Sequence, residues 1–334
     1  MASLAEIRAR LAEQAQKSGG TNATGTGDNA IFAHWNIPEG SSATVRFLPD
    51  SDDTNTFFWR ERQMIRIPFA GVKGQDENKK VVVQVPCIEM WGETCPVHAT
   101  IRPWFKDPNM ESLGRTYWKK RSYVFQGFVV NSPVDEQSLP ENPVRRFIIS
   151  PQIFTLIKQA LMDPEMEELP TDYQRGTDFR INKTQKGGYA DYSTSGWARK
   201  ERGLNETELQ AIATHGLFNL NDFMPKRPGI DETRAIMEMF EASVAGELYD
   251  ADRWGKMYRP SGVQIQGATG AAADADEDTL SVKAVARASA PAPAPAPAPK
   301  AEVTATASVA DTATPSGEKP SVDDILKMIR NRQK

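Results

Sequence analysis

Cysteine and histidine are scarce: the 334 residues hold two of the first and three of the second. Two cysteines cannot build a disulfide framework, so reduced thiols in an intracellular protein are the expectation. Three histidines leave little material for general-base chemistry. The chain carries no Walker loop, no GxSxG and no HExxH, which makes an enzyme the weaker hypothesis. No apolar run reaches the roughly eighteen residues of a membrane span. Met1–Gly20 is charged and has no apolar stretch, so it does not read as a secretory signal. A soluble, non-membrane protein is expected.

An excess of positive charge is also lacking. The formal net charge is -4, from 40 Lys+Arg against 44 Asp+Glu. The distribution tells more than the total. Arg102, Lys106, Arg115, Lys119, Lys120 and Arg121 cluster in one segment against Asp107 and Glu111. Arg175, Arg180, Lys183, Lys186, Arg199, Lys200 and Arg202 cluster in a second. The acidic residues concentrate elsewhere, so the chain can carry an anion-binding face.

Residues 43–260 read as the folded core. Ala43–Pro49, Arg62–Phe69, Lys79–Val85, Ser122–Val130 and Arg145–Ile149 have strand character. Pro151–Leu161 is expected to be a helix, with Ile153, Ile157, Ala160 and Leu161 at helical spacing. Asp178–Lys183 and Gly188–Tyr192 suggest a hairpin across Lys186-Gly187-Gly188, and a helix is expected over Asp231–Leu248. The fold class is therefore mainly β with helical insertions (α+β), its short strands suggesting a small open barrel. Residues 1–20 read as a helical arm. Residues 261–320, rich in Ala-Pro repeats, read as a disordered tether. Residues 321–334 end the chain as an amphipathic helix, with Val322, Ile325, Leu326 and Ile329 on one stripe for a partner.

Aromatic rings interleave with the two basic segments. Arg115, Tyr117, Trp118, Lys119, Lys120, Arg121 and Tyr123 form one such group; Lys183, Lys186, Tyr189 and Tyr192 form the other. Cations neutralise phosphates while flat rings stack on unpaired bases, the pairing that single-stranded nucleic acid requires. The competing reading is that half of these rings fill a β core. Cys87, Cys95 and His98 are candidate zinc ligands, because a two-residue gap lets one turn present two of them. Asp76, Glu77, Glu89 and Glu93 are candidates for a fourth. The competing reading is two reduced cysteines beside a histidine.

Several stretches occur in an order that resembles the single-stranded DNA-binding (helix-destabilising) protein family of T-even-type tailed phages, its cyanophage-like relatives especially. They are Val45-Arg46-Phe47-Leu48-Pro49, Glu93-Thr94-Cys95-Pro96, Tyr117–Tyr123, Arg146–Leu161 and Gly176–Tyr192. The similarity spans roughly two thirds of the chain. It implies an OB-fold core binding single strands cooperatively and without sequence preference, in phage DNA replication, recombination and repair within the host cytoplasm. The family's basic run followed by Ser/Thr falls on Lys119, Lys120, Arg121 and Ser122, and the aromatic of its next strand on Tyr123. The family's zinc module uses three cysteines and a histidine. Here Cys87 and Cys95 match, His98 stands for the last cysteine, and no histidine occurs near Gln63 or Met64. Arg8 and Arg10 stand where the family has a basic N-terminal cluster for self-association along DNA. The resemblance also implies recruitment of replication and recombination proteins through the tail, here an Ala-Pro tether and helix instead of an acidic segment. The alternatives are an RNA-binding regulator on the same fold, a phage structural or scaffolding protein and, more distantly, a metallohydrolase using Cys87, Cys95 and His98.

Overall fold

The computed structural model describes residues 30–75, 77–136 and 138–260, with the backbone of Ala271–Ala272. The arm at 1–20, the tail residues Val322, Ile325, Leu326 and Ile329, and Asp76 lie outside the described residues. Among those described, no helix is long and apolar enough to cross a membrane.

Strands β1 (Ser42–Leu48), β2 (Arg60–Phe69) and β3 (Val81–Pro86) come first. Helices α1 (Pro96–Ile101) and α2 (Glu111–Tyr117) follow, then β4 (Lys120–Asn131), β5 (Arg145–Ile149) and α3 (Pro151–Leu161). Next come β6 (Thr177–Asn182), β7 (Thr184–Lys186), β8 (Tyr189–Asp191), β9 (Gly196–Glu201) and α4 (Glu206–His215). Helices α5 (Ile230–Val244) and α6 (Ala251–Trp254) follow, with a short parallel pair, β10 (Tyr258–Arg259) and β11 (Ala271–Ala272), last.

The main sheet is antiparallel, in the order β3-β2-β4-β1-β6-β9, with β5 on the other side of β4. Strand β4 is the hub. Its first residues pair with β2, Met64 opposite Lys120, and its last with β1, Thr44 opposite Asn131. One long strand thereby joins two packing units. The path ends at β3 and β9, so the described strands make an open sheet of a mixed α/β fold and not a closed barrel. Close approach at the hub needs Gly127, where a Cβ would meet the Arg46 carbonyl oxygen at 2.0 Å.

The first unit packs Phe47, Phe125, Phe147 and Phe179 under Ile153 and Ile157 of α3. Helix α3 opens with Pro151 at its first position, where its missing N–H costs nothing. The second unit packs Ile65, Ile67, Val83 and Val85 against Ile236, Met239 and Phe240 of α5. A buried ionic network ties β1, β6 and α4 together. Arg202 donates to Asp178 at 2.9 and 3.1 Å and to Glu208 at 2.8 and 3.0 Å, and Arg46 approaches Asp178 at 3.4 Å. Asn205 and Glu208 close a capping box at the start of α4.

The expected hairpin needs correction. Its turn is right, with Gly187 and Gly188 at φ 61° and 84°, but it joins only β7 and β8. Strand β6 pairs instead with β1 and β9. Its apolar residues Phe179 and Ile181 are buried on the main sheet, where a small two-stranded ribbon has no core to offer them.

Candidate nucleic-acid interface and metal loop

The start of β4 carries the first basic segment. Side chains alternate along a strand, so its cations divide. Lys120 is exposed on one face, in an open pocket of about 410 Å³ lined also by Phe105, Arg115 and Trp118. Arg121 is exposed on the other, 3.6 Å from Glu61. Lys119 is committed inward: its ammonium lies 2.7 Å from Glu89 and is only 14 % exposed. Arg115 is exposed and pairs with Glu111 one turn back.

The rings divide too. Tyr117, Tyr123 and Tyr192, expected from the sequence among the base-stacking residues, all lie in the core. Tyr117 bonds Ser243 at 2.8 Å. Tyr192 packs on His34 with ring centroids 5.8 Å apart. Tyr123 lies flat on Phe154 at 3.5 Å. These rings are enclosed by protein neighbours, so they do not offer a face to a base. Tyr189, at the tip of the β7–β8 ribbon, is 72 % exposed. Trp118 is half-buried, stacked on His98 at 4.4 Å with Phe105 edge-on at 5.1 Å.

The structure also brings together an aromatic run not expected from the sequence. Phe57, 57 % exposed, stacks on Trp59 at 4.7 Å. Trp59 meets Phe154 at 5.3 Å, and Phe154 covers Tyr123. Arg121 shares the Tyr123 face of β4. Two signals were legible: three consecutive aromatics at Phe57–Trp59, and Phe154 lying off the Ile153/Ile157 stripe of its helix.

The second basic segment sits beyond the far end of β4, past the β1–β6 pairing. Helix α3 bridges the two. Its Gln152 donates to Asp191 at 2.6 Å, at the base of the ribbon, while its Phe154 covers Tyr123. Lys183 gives its ammonium to the Trp35 carbonyl, and Lys186 is exposed at the tip. Arg175 pairs with Glu168 and Glu201, and Arg202 belongs to the buried network. Arg180, Arg199 and Lys200 are exposed.

Beneath the first segment lies a cluster that could hold a metal ion. One donor atom each from Cys87, Cys95 and His98 falls within 4.8 Å of the others, and all three residues are buried. Cys87 precedes a tight turn at Ile88–Trp91, and Cys95 caps α1, which carries His98. The donor set suits zinc, which takes thiolates and imidazole. A hydrogen bond from Cys87, then backbone N–H groups of His98 and Val97, hold the Cys95 thiol down to about 7 against its burial. The Cys87 thiol is pushed up, by Cys95 and by burial. Burial works against the Glu89 carboxylate, but Lys119 and His98 together hold it at about 2. The backbone N–H of Lys119 donates to His98 Nε2 at 3.2 Å. The metal loop and the basic segment are thus joined through both the main chain and the side chain of Lys119.

Comparison with known proteins finds no family model that matches this chain, and no curated protein that matches it.

Proposed function

We propose that this protein binds single-stranded DNA cooperatively and without sequence preference, acting in phage DNA replication, recombination and repair in the host cytoplasm. It is a coating protein on this reading and catalyses no reaction. The observation that carries the reading is the run Phe57–Trp59–Phe154, which ends on the buried Tyr123 beside Arg121, with Phe105 and Trp118 beside Arg115 and Lys120. Rings at the surface offer stacking platforms while neighbouring cations take the phosphates. The antiparallel sheet with α3 packed on it supports an OB-type core, a fold that presents such surfaces. Zinc in the Cys87–His98 loop would brace the start of β4. The C-terminal stripe Val322, Ile325, Leu326 and Ile329 would recruit replication and recombination proteins, and the N-terminal arm would serve self-association.

Titration with poly-dT at several salt concentrations tests the reading. Tight binding whose logarithm falls linearly with the logarithm of salt is expected. Salt-insensitive or undetectable binding would leave a structural protein as the better account. Competition with poly-U separates DNA from RNA as the natural target, because the 2′-OH is the chemical difference between them.

A further inference from the structure

The metal loop presents three protein donors, and a closed tetrahedral site takes four. Three of the four sequence candidates lie among the described residues, and Glu77 is exposed with its carboxylate at 3.5 Å from the Gly74 amide. Glu93 is engaged away from the cluster, held by Arg227 at 2.6 and 2.9 Å. Glu89 borders it at the histidine corner, its Oε1 3.1 Å from His98 Nδ1 but outside the 4.8 Å within which the three donors reach one another, so the carboxylate must move toward the thiols to complete a site. The same nitrogen lies 3.7 Å from Cys87 Sγ. Zinc bonds of about 2.3 Å to sulfur and about 2.1 Å to nitrogen and oxygen define the edges of a tetrahedron. Those edges are about 3.6 Å for sulfur to nitrogen and about 3.4 Å for nitrogen to oxygen. Both observed separations are close to these edges, and they share His98 Nδ1 as the common corner.

We propose that Glu89 is the fourth ligand of a Cys87–Cys95–His98–Glu89 zinc site, its second oxygen fastened to Lys119. The charges support it. Two thiolates and a carboxylate around a divalent cation leave one negative charge, and Lys119 and Arg102 stand at 2.7 and 2.9 Å from the carboxylate to neutralise it. Arg102 now holds Oε1 and is 61 % exposed, so it can yield that oxygen to the metal at little cost. Lys119 keeps Oε2, the outer hydrogen bond that ligating carboxylates commonly have. When the metal takes Nδ1, the imidazole proton sits on Nε2. The Lys119 amide, now donating to Nε2, must then find another acceptor. Metal loading is therefore felt at the first residues of β4.

The test uses the full chain, stripped of metal and titrated with cobalt(II), whose visible spectrum reports its ligands. Wild type is expected to bind one ion with a tetrahedral spectrum. E89A should weaken binding by more than the roughly 10–100-fold that an outer partner costs, and should change the spectrum. E89H should restore tight binding with a third spectrum, a nitrogen replacing oxygen, which keeps the test open if E89A does not fold. K119A leaves the four donors intact and should keep the wild-type spectrum. An E89A spectrum identical to wild type, or wild type that takes up no cobalt, overturns the proposal. None of these readouts involves DNA, so the proposed function stands or falls separately.

Discussion

The division of the basic segment at the start of β4 makes a quantitative prediction. Lys120 and Arg121 are exposed, on opposite faces, while Lys119 is bound to Glu89. If each exposed cation neutralises one phosphate of a single strand, each contributes about 0.7 to the salt slope. The double variant K120A/R121A should then lower the slope of log affinity against log salt by about 1.4. The affinity gap to wild type should narrow about sevenfold between about 50 and about 200 mM salt. K119A should behave otherwise. It removes an inward, charge-assisted bond worth about 1.5–3 kcal/mol, so its cost falls on folding more than on the slope. Tryptophan fluorescence titrations with poly-dT at four salt concentrations would give the slopes, and urea melts the stabilities. A slope that K120A/R121A leaves untouched, or that only K119A lowers, refutes the reasoning.

Further outcomes follow from burial and charge. F57A should leave the melt nearly unchanged and weaken poly-dT binding by about 1–3 kcal/mol, roughly 5- to 150-fold; Y117A should instead destabilise the fold by about 3 kcal/mol or more. His34 is fully buried, and neither ring nitrogen has a hydrogen-bond partner among the described residues. Burial first, then Lys183, lowers its pKa from 6.5 to about 4. Unfolded chain binds that proton more readily, so the contribution is complete above about pH 6.5 and drains away as pH falls toward about 4, by about 3 kcal/mol. Urea melts across this window should show a steep loss that H34N flattens; equal slopes in both proteins would exclude His34 as the cause. Deleting residues 321–334 should spare poly-dT affinity and abolish capture of replication proteins, and unchanged capture would reject the tail as their docking site.

The elements with strong local patterns were legible beforehand. Arg145–Ile149 and Pro151–Leu161 form as expected, and β1, β2, β3 and β4 differ from expectation by a few residues at their ends. Local β-branched runs and an i, i+4 stripe carry that information in the chain itself. The small helices α1 and α2 escaped because each is too short to show a period, and α4 because the residues it buries, Glu208 and Ala211, make no apolar stripe. Strand β9, Gly196–Glu201, escaped because its polar residues carry no apolar alternation. At the candidate site the residue types were legible and their orientations were not. Tyr117, Tyr123 and Tyr192 look the same in sequence as Tyr189, yet only Tyr189 reaches solvent.

The sequence alone therefore determined the strands and helices with strong local patterns, where cations gather, and that two thiols and an imidazole lie close along the chain. Those properties depend on neighbours within a few residues. Tertiary structure decided which rings face outward, which cation is spent on Glu89, and that Phe57, Trp59 and Phe154, from distant parts of the chain, meet in one run. Facing and pairing arise only when β4 joins β2, β5 and β1, because a side chain's exposure is set by what packs against it and not by its own chemistry.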